Sequence, residues 1–142
     1  MKECVLVAGG AGYIGTHTAV ELIEAGYDVV IVDNLSNSEM KAVEGVREIT
    51  GRNVPFERVD CDDRQALADV FGRYRFGAVI HFAASKAVNE SVRKPLEYYG
   101  NNLTSFMNVI GLMREFGRRN IVFSSSCTVY GEPEKQPVTE QT

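Results

Sequence analysis

Residues Val5–Gly15 read VLVAGGAGYIG. An apolar run, Val5-Leu6-Val7, breaks into glycines at Gly9, Gly10, Gly12 and Gly15, and a helix-like pattern resumes from about Tyr13 to Ala25. Strand, glycine turn, helix is the order that presents bare backbone N–H groups and a helix N-terminus to a phosphate. Glycine serves there because the turn needs positive φ and the ligand must come close to the backbone. Gly15 lets the helix lie tight on the strand. The spacing Gly9-x-x-Gly12-x-x-Gly15 differs from the commoner G-x-G-x-x-G, and glycine spacing alone is a weak signal. What strengthens it is Asp33, eighteen residues after Gly15, at the end of a second apolar run, Val29-Val30-Ile31-Val32. A carboxylate there is placed to accept hydrogen bonds from the ribose hydroxyls of an adenine dinucleotide. It would repel a 2′-phosphate, and no arginine lies nearby before Arg47, so NAD is favoured over NADP.

Working outward, strand one is predicted over 3–8 and helix one over 13–25, closed by Gly26. Strand two covers 28–33. Ser36 and Glu39 have capping-box spacing, so a helix is expected to open there and run to about Ile49, with Gly51 ending it. Strand three is expected over 54–59, and a helix capped by Asp62 or Asp63 over 64–74. Strand four is expected over 78–82 and strand five over 121–125. Strands alternating with helices imply a doubly wound parallel α/β sheet with right-handed crossovers. Its expected strand order is 3-2-1-4-5, a Rossmann-like arrangement.

The connection between strands four and five is longer than a simple crossover. It holds a short helix near 87–93, Pro95, and a long helix over 96–116. Tyr99, Leu103, Phe106, Ile110 and Met113 make an apolar stripe along that helix, and Met107, Val109, Leu112 and Phe116 add apolar surface elsewhere. Such a helix is either covered by its own domain or also packs against a second subunit. A homodimer through this helix is the expectation.

Composition narrows the partners. The 142 residues suit one domain, with 44% hydrophobic and 24% charged residues. A net charge of −4 gives no electrostatic reason to expect nucleic acid or an acidic membrane surface. No run approaches the roughly 20 apolar residues of a membrane span. Cys4, Cys61 and Cys127 lack metal-like spacing and read as reduced thiols of a cytoplasmic protein. The isolated His17 and His81 make no metal site.

Ligands of a doubly wound sheet sit at strand C-termini, which here end in Gly9, Asp33, Asp60, Ala83-Ala84 and Ser124-Ser125-Ser126. Asp60 with the Cys61 backbone either meets the adenine edge or caps a turn. Asp62 and Asp63 read as solvated caps. After strand four, Phe82-Ala83-Ala84-Ser85-Lys86 lets the backbone approach a cofactor, and Lys86 is placed to pair with a phosphate. Asn101 either faces the cofactor or caps and packs. Ser124 and Ser126 bring hydroxyls to the nicotinamide end, with Ser126 read as a hydrogen-bonding or proton-relay residue.

AGGAGYIG, DNLSNS, HFAASKAVNESVRKPLEYYGNN and SSSCTVYG together resemble the extended short-chain dehydrogenase/reductase family, from Val5 to about Pro137. Within it the chain is similar to the branch that interconverts UDP-glucose and UDP-galactose. The resemblance implies that Gly9, Gly12, Tyr13 and Ile14 line the pyrophosphate. It implies that Asp33 holds the adenosine ribose with Asn34, Asn37 and Ser38 near it, and that Asp60 and Cys61 bracket the adenine. Phe82, Ala83, Lys86 and Asn101 would line the nicotinamide half, with Ser124 beside it and Ser126 on the sugar 4-hydroxyl. NAD would take the C4 hydride, and the 4-keto sugar would turn over and be reduced on its other face.

The sequence departs from the family pattern at three places: Ala8 stands for the usual threonine, Cys127 for a small residue, and Leu103-Thr104-Ser105-Phe106 for a glycine-threonine pattern. The implied catalytic Tyr-x-x-x-Lys is absent, since Tyr130 is followed four residues on by Glu134. Residues 1–142 are therefore expected to be the N-terminal part of an NAD-binding domain. The sheet would be truncated after strand five, a separate sugar-nucleotide domain would be missing, and the piece would be inactive alone. Another nucleotide-sugar epimerase, a 4,6-dehydratase and a non-catalytic NAD-sensing module are the alternatives. Val129-Tyr130 after Thr128, where the dehydratases carry an acidic pair, disfavours the dehydratase.

Overall fold

A computed structural model describes residues 3–84 and 88–142, apart from the side chain of residue 88. Five strands, β1 (Cys4–Ala8), β2 (Asp28–Asp33), β3 (Phe56–Arg58), β4 (Phe76–His81) and β5 (Asn120–Phe123), form one sheet. Its order is β3-β2-β1-β4-β5 and all its pairings are parallel, as the alternation predicts. Between the strands run α1 (Tyr13–Glu24), α2 (Met40–Thr50), α3 (Arg64–Arg73), α4 (Val88–Arg93) and α5 (Pro95–Glu115), and a short 3-10 turn (Cys127–Tyr130) follows β5.

The uninterrupted apolar runs of β1 and β2 follow from burial on both faces, which parallel sheets require. Leu6, Val30 and Val32 point to the side covered by α3 and α5, where Leu67, Val70, Val109 and Leu112 meet them. Val5, Val7, Val29 and Ile31 point to the opposite side, against Ala19, Ile23, Val43 and Val46 of α1 and α2. β1 lies at the centre, with Leu6 beside Val30 on one flank and Val79 on the other. The turn that follows β1 is therefore held by strands on both flanks.

Three local expectations are corrected. Ser36 does not cap α2: the helix starts at Met40 with Glu39 as an N-cap that makes no side-chain bond. The Ser36 amide instead donates to Asn34 Oδ1 at 3.0 Å, so the Asn34 side chain turns the loop before any helix can begin. β3 is shorter than expected: Phe56–Arg58 pair in register with β2, while Pro55 and Val59 on either side each add a single backbone bond to it.

The third correction concerns α5. Of the predicted stripe only Met113 is buried, while Tyr99 and Leu103 are 58% and 63% exposed. The buried line runs instead through Ser105, Val109 and Leu112. Polar bonds set this rotation. Asn108 donates to the Cys61 and Asp62 carbonyls and Ser105 to the Asp62 carboxylate, which leaves Tyr99, Leu103 and Ile110 of the stripe facing outward.

Candidate functional site

The glycine turn is built by close packing. Gly9 has φ +74°, and a Cβ there would lie 2.6 Å from the Ala83 nitrogen at the exit of β4. A Cβ on Gly15 would lie 2.6 Å from the Gly9 carbonyl oxygen, so α1 presses onto the turn itself. Gly12 differs: its Cβ would meet nothing nearer than the Gly9 oxygen at 3.5 Å. Glycine at position 12 thus leaves bare backbone toward open space, a cradle a side chain would fill.

α1 begins there with no side-chain cap and no acidic residue in its first turn. Its leading amides thus have no capping side chain among the described residues and lie at the positive end of a helix dipole. Tyr13 is 80% exposed and Ile14 50%. Such an end offers backbone donors to an anion.

Asp33 ends β2 beside that turn. Its Oδ2 accepts from the Ala11 amide at 3.1 Å, and its Oδ1 accepts from the Leu35 amide at 2.8 Å and the Ser38 hydroxyl at 3.1 Å. The carboxylate is held in one orientation, and its remaining lone pairs can take further hydroxyl donors. Asn34 Nδ2 donates to Asp60 Oδ2 at 3.3 Å, linking the exits of β2 and β3. Leu35, at φ 60°, makes this tight corner in the left-handed region.

Beyond β3, Asp60 Oδ1 accepts the Asp62 amide, and Asp63 caps α3 by accepting from the Ala66 amide, as its position predicts. Cys61 is buried, and burial together with the neighbouring Asp60, Asp33 and Asp62 pushes its thiol pKa up to about 12. It is held as a neutral wall rather than a nucleophile.

These elements enclose one cleft of about 720 Å³ at the strand C-termini. Gly9, Gly12, Tyr13, Ile14, Asp33, Asn34, Asn37, Ser38, Asp60, Cys61, Phe82, Ala83 and Asn101 all line it, so the structure brings thirteen of the expected residues together. Lys86 lies outside the described residues. Ser124 and Ser126 are not in the lining. The Ser124 amide donates to the His81 carbonyl, extending the sheet by one bond, and Ser126 caps the 3-10 turn, its hydroxyl 2.8 Å from that of Thr128.

The sequence reading missed Ser36, Glu90, Glu97, Tyr98 and Ser105, which also line the cleft. No local rule marks the last four; they arrive because the long β4–β5 connection folds back over the strand ends. The described lining carries the carboxylates of Asp33, Asp60, Glu90 and Glu97 and no lysine or arginine. Among these residues a diphosphate would be met by amide dipoles, not by cations.

Residues 5–142 match the NAD dependent epimerase/dehydratase family. The chain is 54% identical over 136 residues to the UDP-glucose 4-epimerase of Bacillus subtilis, covering 96% of this chain and 40% of that protein. It is 51% identical over 146 residues to the human UDP-glucose 4-epimerase, covering 99% of this chain and 42% of that protein. The fold matches the crystal structure of UDP-glucose 4-epimerase from Bifidobacterium longum in complex with NAD+ and UDP. The TM-score is 0.91 at 48% identity, over 97% of this chain and 41% of the other. The chain thus spans about two fifths of the length of these relatives.

Proposed function

Because this chain belongs to the NAD dependent epimerase/dehydratase family, we propose that the longer protein carrying it interconverts UDP-glucose and UDP-galactose, in galactose metabolism, and that residues 1–142 supply most of its NAD cleft. The observation that carries this reading is the pairing of an uncapped helix N-terminus at Gly12 with the fixed carboxylate of Asp33. The pair matches a diphosphate next to a ribose, and the negative lining disfavours the extra phosphate of NADP.

In that reading Gly9, Gly12, Tyr13 and Ile14 hold the diphosphate, and Asp33 with Asn34, Asn37 and Ser38 holds the ribose. Asp60 and Cys61 flank the adenine. Phe82, Ala83, Lys86, Asn101 and Ser124 serve the nicotinamide half. Bound NAD supplies a hydride acceptor for C4 of the sugar. Ser126 orients the 4-hydroxyl; its hydroxyl is exposed and already shares a hydrogen bond with Thr128. The proton acceptor comes from outside this stretch, so residues 1–142 alone are expected to turn nothing over.

The outer face of α5, with Leu103, Met107 and Ile110 exposed, supports a homodimer through this helix. The three cysteines are unpaired, which suits a reducing cytoplasm. No helix among the described residues is long and apolar enough to cross a membrane.

The test is a coupled assay on the full-length protein loaded with NAD. Conversion of UDP-galactose to UDP-glucose is expected. A protein that holds NAD yet leaves UDP-galactose unchanged overturns the reading.

A further inference from the structure

α5 meets the cleft through polar side chains. Ser105 is only 3% exposed, and its hydroxyl lies 2.6 Å from Asp62 Oδ1 and 2.7 Å from the Asn101 carbonyl within its own helix. One hydroxyl proton serves two acceptors, and the charged carboxylate is the stronger. One turn on, Asn108 Nδ2 donates to the Cys61 carbonyl at 2.8 Å and the Asp62 carbonyl at 3.1 Å, spending both amide hydrogens on consecutive residues.

The loop so gripped is the one that closes the cleft beyond β3. Its other bonds among the described residues are internal, Asp62 N–H to Asp60 Oδ1 and Asp63 N–H to Asp60 O, or run to the β2 exit through Asn34 Nδ2 to Asp60 Oδ2 and to the first turn of α3 through Asp63. A continuous chain of hydrogen bonds therefore runs Asn34–Asp60–Asp62–Ser105. Ser105 falls within the stretch where this sequence departs from the glycine-threonine pattern. A glycine there would offer Asp62 no donor.

We propose that Ser105 and Asn108 are positioning residues that hold the Asp60–Asp62 loop against the adenine side of the cleft, with Ser105–Asp62 the decisive contact. The inference rests on the cleft taking NAD.

Full-length protein stripped of nucleotide is titrated with NAD and, separately, with UDP, as the parent, Ser105→Ala, Asp62→Ala, the double variant and Asp62→Asn. Removing the hydroxyl weakens NAD binding about tenfold, and Asp62→Ala does the same. The double variant is no worse than either single one, because both remove one contact. Asp62→Asn, which keeps an oxygen acceptor, stays within about threefold of the parent. UDP affinity does not move, whereas a merely loosened fold would weaken both ligands. Faster hydrogen exchange at the Asp62 and Asp63 amides in Ser105→Ala reports the freed loop directly. A Ser105→Ala protein with parental NAD affinity, or additive single effects, overturns this inference while leaving the cofactor reading intact. A parent that takes up no NAD overturns the cofactor reading, and this inference with it.

Discussion

Asp33 Oδ2 accepts a hydrogen bond from the amide of Ala11 at 3.1 Å, so the carboxylate that ends β2 braces the glycine turn that ends β1. The group proposed to grip a ribose also sets the shape of the glycine turn beside it. Losing Asp33 therefore damages both at once. Asp33→Ala strands the Ala11 and Leu35 amides and is expected to lower stability by about 1–3 kcal/mol and to abolish measurable NAD uptake. Asp33→Asn keeps one acceptor, weakens NAD and narrows its advantage over NADP. Thermal denaturation and titration calorimetry with both dinucleotides check this.

Gly9 and Gly12 are expected to separate fold from ligand. Gly9→Ala combines a left-handed φ with a 2.6 Å clash against the Ala83 backbone, and should cost about 2–4 kcal/mol of stability. Gly12→Ala meets no protein atom closer than 3.5 Å. It should change stability by only about 0.5–1 kcal/mol while weakening NAD at least about tenfold by filling the cradle. Denaturant melts and calorimetry on the two variants, side by side, decide it.

His81 is 2% exposed and packs against the rings of Phe106 and Phe123, which also touch each other, with Nδ1 unpartnered among the described residues. Burial lowers its pKa, and the Ala83 backbone partly opposes that. The unfolded chain thus takes up a proton near the ordinary value of about 6.5 while the folded chain resists it. Stability from the neutral ring is complete above that range and is lost as pH falls through it. The melting temperature should drop as pH is lowered from about 7.5 to 5.5, and less steeply in His81→Phe.

The cysteines should label in a set order. Burial, with Asp28 a smaller cause, raises the Cys4 pKa to about 11, and Cys61 stands at about 12. Cys127 is exposed. Iodoacetamide at mildly alkaline pH should modify Cys127 first and spare Cys61 until the protein unfolds, as read by mass spectrometry.

The outward residues of α5 predict a second separation, of assembly from cofactor binding. Leu103→Glu with Met107→Glu alters residues 63% and 66% exposed. The pair should dissociate a dimer of the full-length protein while leaving NAD affinity within about twofold. Light scattering and calorimetry check the two halves.

Local rules carried the reading a long way where each signal sits in one stretch. A glycine at position 9 is demanded by the turn itself, the two-sided burial of β1 shows in its unbroken apolar run, and Asp63 caps the helix it immediately precedes. The α5 rotation was illegible because hydrophobicity favours the stripe through Tyr99 and Leu103. The contacts that overrule it join Ser105 to a residue 43 positions away. Glu90 and Glu97 were missed for the same reason, since only the fold-back of a long connection brings them to the cleft.

The sequence alone determined the alternation of strands and helices, their order in the sheet, and the place where backbone amides and a carboxylate meet at the strand ends. Periodicity, turn sterics and the handedness of crossovers act within or between neighbouring elements, so the chain states them directly. The tertiary structure alone decided which face of α5 is buried, how Asp33 is braced, and that the β3–α3 loop hangs from Ser105 and Asn108. Those outcomes depend on hydrogen bonds between distant residues, each chosen by the cost of leaving a buried polar group unpaired.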